Sequence, residues 1–268
     1  MEIFFYIIIF IIGITFGSFY TLAVYRIPKG QDITHTHSYC PNCNHKLNLI
    51  DLIPVFSYIF LGGKCRYCKQ KIRPRYLILE TISGLAFVGF AYLMNLSVYD
   101  LNVIKIAEYV FFALYFTFVI LMAGIDKEYK TINKPVLMYG VIISIMYILY
   151  LYIIEKNSIY RYGIYLLVFV ILLILDTIKL RKKAQDSYTY SILMVVMIMT
   201  IFTGEYVTIN SIITTLLIIA ITLLIKKLKQ PKGMKSTLQY SSTVKIGLYL
   251  AITNITYLTI VLSYLKFI

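Results

Sequence analysis

Residues 3–28 read IFFYIIIFIIGITFGSFYTLAVYRIP. From Ile3 to Tyr25 this stretch carries no charge, and the first basic residue, Arg26, arrives just before Pro28. At 1.5 Å per residue, about 20 apolar residues cross the roughly 30 Å hydrocarbon core of a bilayer, so 3–25 reads as a membrane-spanning helix. It begins Met1-Glu2 with no basic leader region, and no small-residue cleavage site follows it, so the segment is expected to stay as an anchor. Working outward, seven further apolar stretches follow at about 76–95, 105–125, 135–154, 161–179, 188–203, 209–225 and 244–265. With 60% hydrophobic and only 14% charged residues, the chain is not an ordinary soluble globule. The expected fold is an all-α integral membrane protein of about eight transmembrane helices, with one long hydrophilic loop between the first and second.

Charge sets the expected orientation, because cytoplasmic loops retain Lys and Arg. The segments 26–75, 127–134, 179–183 and 226–245 hold 9, 3, 4 and 6 basic residues, 22 of the 26 in the chain. Only Lys105, Lys156, Arg161 and Lys266 fall on the other side, together with Glu2, Asp100, Glu108, Glu155 and Glu205. Both termini are therefore expected outside a cell membrane that the chain crosses several times. The net charge of +14 is then explained by topology and anionic lipid headgroups, without nucleic acid as a partner. The 26 Tyr and absent Trp suit interfacial anchoring.

The long loop contains CPNCNHKLNLIDLIPVFSYIFLGGKCRYC at 40–68, two Cys-x-x-Cys pairs 21 residues apart. On the reducing cytoplasmic face structural disulfides are disfavoured. Cys40, Cys43, Cys65 and Cys68 instead supply the four thiolates that a tetrahedral zinc ion requires, two from each short turn. Gly62 and Gly63 suit the tight turn before Cys65. The alternative is a pair of redox sites or unligated thiols. His35, His37 and His45 lie nearby, but four Cys already close such a site.

The flanks of the loop carry a resemblance. FGSFYTLAVYRIP (16–28), the cysteine segment, and DLIPVFSYIFLGGKCRYCKQKIRPRYLILETISG (51–84) closely resemble the N-terminal part of the prepilin peptidases, the type IV leader peptidases of bacteria. The resemblance is dense over about 70 residues and weaker beyond. It implies an N-terminal domain over 1–95 and a helical catalytic domain over 96–268.

That family resembles intramembrane aspartic proteases, which implies two carboxylates at the cytoplasmic membrane boundary. Two close carboxylates share a proton, so that one activates water while the other protonates the leaving amine. Asp126, in MAGIDKEYKTINKP at the end of the third span, is similar to the family's first motif and is the first expected catalytic residue. Ile132 is retained there, whereas Asn133 replaces the motif's proline and Pro135 follows two residues later. The bland reading of Asp126 is a solvated carboxylate at a helix end.

The family's second carboxylate sits in Gly-x-Gly-Asp, a motif this chain lacks. By span order the matching place is KKAQDSYTYSILM, which offers Asp186, with Lys183 and Gln185 where the glycines would stand. Asp176 in ILLILDTIKLRKK is the competitor, its bland reading a helix carboxylate paired with Lys179 three residues on; a chain without a working dyad is the third alternative. Glu80 stands where the family has a matching Glu, one and a half turns into the second span, and calls for a partner such as Arg73 or Arg75, or a role at the substrate groove. Glu128 reads as an exposed loop acid. In the last loop, Ile246-Gly247 is what remains of the family's Pro-Phe-Gly-Pro-like turn, and Ala251, Thr253, Asn254 and Thr256 of the final span suit hydrogen bonding between helices.

The resemblance thus implies an aspartic endopeptidase that removes basic leaders from type IV pilin-like precursors, and N-methylation of the new N-terminus with S-adenosylmethionine as a possible second activity. The rival reading is a non-catalytic assembly or chaperone factor for such precursors, motivated by the lost Gly-x-Gly-Asp. A transporter with a zinc-stabilised loop fits poorly, since few charges lie within the spans.

Overall fold

The computed structural model describes residues 1–33, 37–155, 159–181, 187–228 and 245–267. Their long apolar runs form helices α1 (Glu2–Arg26), α3 (Arg75–Leu93), α4 (Val103–Tyr129), α5 (Lys134–Glu155), α6 (Ile159–Arg181), α7 (Ser187–Leu228) and α8 (Ile246–Phe267), with a short α2 (Phe56–Phe60) in the loop between α1 and α3. Among the described residues there is no strand, only two isolated antiparallel bridges, Tyr39 with Lys46 and Lys64 with Lys71. Among the described residues six helices are long and apolar enough to cross a membrane, and α6 holds a shorter apolar run, Tyr162–Leu172. The chain is an all-helical, multi-pass membrane protein with its cysteine loop between the first two long helices.

The helix ends follow local chemistry. α1 stops where Pro28 and a left-handed Gly30 (φ 63°) succeed Arg26. α3 starts directly after Pro74, and Pro135 occupies the first turn of α5, where a missing N–H removes no helical bond.

The chain divides into two compact units, Met1–Ala113 and Leu114–Ile268. In the first, α1 and α3 pack through small residues. A Cβ added at Gly13 would lie 2.8 Å from Gly84 Cα, and one added at Gly17 would lie 2.7 Å from Glu80 Cα, so only glycine permits this approach. Such contacts drive helix association in lipid, where no hydrophobic effect favours it. At the far end Glu2 Oε1 accepts hydrogen bonds from the Ser97 hydroxyl and from the Val98 N–H (3.1 Å), tying the start of α1 to the turn after α3.

In the second unit the packing is partly polar. Asn254 on α8 accepts a bond from Tyr115 of α4 (2.6 Å) and donates to Thr203 of α7 (3.2 Å), while Thr253 meets Thr215 at 2.9 Å. Tyr147, Phe202 and Tyr115 stack with ring centres 4.7 and 4.8 Å apart. The polar residues of the last span thus do bond between helices, whereas Thr256 bonds its own helix at the Thr253 carbonyl.

The apolar run within α7 covers 36 residues, about 54 Å if straight, far more than one crossing needs. Gly204 interrupts it with φ 79° and ψ 167°, a conformation essentially restricted to glycine. The break falls between the stretches 188–203 and 209–225 that hydropathy separates. Gly204→Ala is expected to destabilise the protein by about 1–3 kcal/mol. Gly89→Ala is expected to be neutral or stabilising, since an added Cβ there meets nothing within 4 Å and helix propensity improves. Thermal melting of both variants in the same detergent checks the contrast.

Candidate functional site

The two cysteine turns are built alike. In the first, the Cys40 N–H donates to the His45 carbonyl (3.0 Å) and the Asn44 N–H to the Cys40 carbonyl (2.8 Å); in the second, Cys65 donates to Gln70 (2.9 Å) and Lys69 to Cys65 (3.0 Å). Asn44 and Lys69 occupy matching left-handed positions, φ 54° and 58°. Each turn is closed by one of the two antiparallel bridges, so each presents two sulfurs in the same way. All four Sγ atoms lie within 4.8 Å of one another, with Cys40 and Cys68 3.9 Å apart. A tetrahedral ion with 2.3 Å metal–sulfur bonds needs sulfurs about 3.8 Å apart, so the cluster fits a zinc knuckle. The Cys68 thiol is lowered to about 6 by hydrogen bonds from the Gln70 backbone and the Asn42 side chain. At Cys68 this favours the thiolate a metal requires, whereas at Cys43 the lowering effect of the His45 backbone bond is outweighed by burial and the neighbouring Cys40 and Cys68 sulfurs, which push the thiol up to about 11. No histidine joins the cluster among the described residues: His45 stacks on Tyr67, ring centres 3.6 Å apart, and His35 lies outside those residues.

A second set of contacts joins the turns without metal. Asp51 accepts from Arg66 Nε (2.6 Å), from the Tyr67 hydroxyl (3.2 Å) and from the Asn48 N–H (3.3 Å), and Asn48 reaches the Tyr67 hydroxyl (3.0 Å). Burial opposes the Asp51 charge, but the Arg66 guanidinium and the Asn48 amide hold its carboxyl below the usual range. Arg26, buried at the end of α1, donates to the carbonyls of Asp32 (3.0 Å) and His37 (3.4 Å) and so anchors the chain leading into the first turn.

Glu80 finds a backbone partner: its Oε2 accepts the Val55 N–H at 2.7 Å, and the Ser18 side chain bonds it too. Val55 has φ 64° and ψ −54°, and the Phe56 N–H bonds back to the Pro54 carbonyl at 2.6 Å. This is a γ-turn of the rare, strained hand, occupied by a β-branched residue. The carboxylate over Val55 offsets that strain.

In the second unit Asp126 is fully buried at the end of α4. Its Oδ2 accepts the Leu248 N–H at 2.9 Å, in the first turn of α8. A carboxylate is disfavoured at its own helix's C-terminus and favoured at the N-terminus of another, so α8 stabilises the position. Gly247 makes room: a Cβ there would lie 2.8 Å from Met122 Sδ and 3.2 Å from Asp126 Oδ2. The solvated reading of Asp126 is therefore excluded. Asp186 lies outside the described residues; Asp176 lies on α6, of its side chain nothing is described, and Glu128 is exposed at the last turn of α4.

Residues 11–94 match the Bacterial Peptidase A24 N-terminal domain. The N-terminal third of the chain resembles the prepilin peptidases. A prepilin leader peptidase/N-methyltransferase of Klebsiella pneumoniae is 36% identical over 32% of this chain and 40% of its own length. Its namesake of Vibrio cholerae is 33% identical over 43% of this chain and 46% of its own. That of Bacillus subtilis is 38% identical over 31% and 33%. The chain thus spans less than half the length of these relatives. No solved structure matches it significantly. The prepilin-peptidase-like region takes in the α1 glycines, all four cysteines, Val55 and Glu80. Of these, the glycine face went unread in the sequence, although Gly13 and Gly17 show the four-residue spacing of a close helix contact.

Proposed function

We propose that the chain is a membrane aspartic endopeptidase that removes basic leaders from type IV pilin-like precursors at the cytoplasmic face, with a catalytic domain over 96–268 following an N-terminal domain over 1–95. The observation that carries this is Asp126, a wholly buried carboxylate at the end of a membrane-length helix, a costly placement usually kept for chemistry. The names of the relatives supply the substrate class. With Asp186 as the second carboxylate, one group takes a proton from water as its oxygen attacks the peptide carbonyl. The other then protonates the departing amide nitrogen as the C–N bond breaks. Cys40, Cys43, Cys65 and Cys68 hold zinc in a structural role, since four sulfurs leave no open position. N-methylation of the freed amine, with S-adenosylmethionine as donor, is the companion activity that the relatives' names suggest. Membrane lipids are the other partner; the basic loops serve topology rather than nucleic acid.

The assembly-factor reading draws on two observations, the missing Gly-x-Gly-Asp and the capping bond from Leu248, which gives Asp126 a structural task. Co-expression with a leader-bearing pilin precursor separates the two. The peptidase converts it to a shorter band on a gel; a precursor that accumulates unprocessed in the presence of the intact protein overturns the enzyme reading.

A further inference from the structure

The stretch 49–60 between the cysteine turns departs from the hydrophilic character of its loop. Leu49, Ile50, Ile53, Phe56, Ile59 and Phe60 are all exposed, Leu49 by 86% and Phe60 by 84%. Phe56, Ile59 and Phe60 stand at i, i+3 and i+4 of α2 and so share one face. The one acid in the stretch, Asp51, is turned inward, its side chain 3% exposed and bound by Arg66.

The contacts of Val55 give the depth. Its N–H is held by Glu80, five residues or about 7.5 Å into α3 from Arg75, and Ser18, which bonds the same carboxylate, lies eight residues or about 12 Å before the end of α1. The loop therefore folds back alongside the two spans, about 7.5–12 Å along them from their loop-side ends. Beside the apolar ridge, Lys64, Lys71 and Arg73 line an open cleft of about 350 Å³, with Tyr58 of α2 in its wall. The segment 26–75 holds nine basic residues against two acids, Asp32 and Asp51.

We propose that residues 49–60 form an interfacial membrane anchor, the apolar ridge seated among acyl chains and the basic cleft facing anionic lipid headgroups. An apolar face with cationic flanks is the pattern of segments that lie 5–10 Å into the interface. The anchor would fix the cysteine unit against the bilayer independently of any catalytic activity.

The protein contains no Trp, so Phe60→Trp provides a single reporter. The full chain is reconstituted in vesicles of phosphatidylcholine with phosphatidylglycerol, with or without bromine near the headgroup end of the acyl chains. The expected result is blue-shifted emission, strong quenching by the brominated lipid, and iodide quenching several-fold weaker than for free tryptophan amide. Leu49→Trp, at the other end of the ridge, is expected to behave alike and serves if Phe60→Trp does not fold. Replacing Lys64, Lys71 and Arg73 with Gln in the Phe60→Trp chain is expected to reduce bromine quenching when phosphatidylglycerol is present. Emission open to iodide and insensitive to bromine would overturn the proposal. So would blue-shifted emission that bromine does not quench, which would mean that protein, from this chain or another, covers the ridge.

Discussion

Asp126→Asn is expected to reduce leader removal by at least about 10³-fold while the protein still inserts and folds, because it removes the ionisable group and keeps the shape. The Asn side-chain oxygen still accepts the Leu248 N–H that Asp126 Oδ2 accepts at 2.9 Å, so the junction of α4 and α8 survives. Asp126→Leu is different. It leaves the part-buried Leu248 amide without that acceptor and is expected to destabilise the protein by about 1–3 kcal/mol as well. The pair of variants distinguishes chemistry from capping. An assembly factor that uses Asp126 only as a cap tolerates Asn and fails with Leu; a peptidase fails with both.

The second carboxylate follows from the same assay. Asp186→Asn is expected to match the loss from Asp126→Asn, and the double variant to be no worse than either single one, since one carboxylate alone cannot both activate water and protonate the leaving nitrogen. Asp176→Asn is expected to retain substantial processing, as that residue lies on α6 five residues, about 7.5 Å, before its end at Arg181, whereas Asp186 comes later in the chain. Precursor mobility on a gel, with melting temperature in detergent as the check on folding, reads all four variants. Loss with Asp176→Asn but not with Asp186→Asn would reverse the assignment.

What the sequence showed and what it hid divide along contact range. Long charge-free runs specify helices because the bilayer leaves no other way to satisfy the backbone, so α1 and its successors were legible from residue type alone. The Cys-x-x-Cys spacing was legible for a similar reason: both sulfurs of a pair come from one turn, and the geometry is local. The partners of the two membrane carboxylates were not. Glu80 was expected to call for a partner such as Arg73 or Arg75, or for a role at the substrate groove; it bonds the amide of Val55, whose unusual φ no residue pattern announces. Asp126 bonds an amide 122 positions away, and its position in the sequence gave only a helix end. Gly247 was visible as a remnant of a turn; that it clears space for Asp126 appears only once α4 and α8 are packed.

The protein purified without added metal is expected to carry about one zinc per chain, lost when Cys40 and Cys65 are both changed to Ser. These are the two buried cysteines, the first of each turn, whose amides close their turns on His45 and Gln70. Bringing four sulfurs within 4.8 Å of one another as thiolates is strongly unfavourable without a cation among them. A structural zinc site contributes on the order of 10 kcal/mol to the folding of a small domain, far more than the single Asp51–Arg66 pair supplies at an exposed guanidinium. The loss should nevertheless stay local. α1 and α3 hold each other through Gly13, Gly17 and Gly84, contacts that involve no part of the loop. The Cys40→Ser/Cys65→Ser variant is therefore expected to keep its helical circular dichroism while residues 37–73 become open to protease. Elemental analysis and limited proteolysis read the two outcomes. Iron in place of zinc would show that the tetrahedral sulfur site selects another ion, and a metal-free protein with a protease-resistant loop would show that the Asp51 network alone holds the turns.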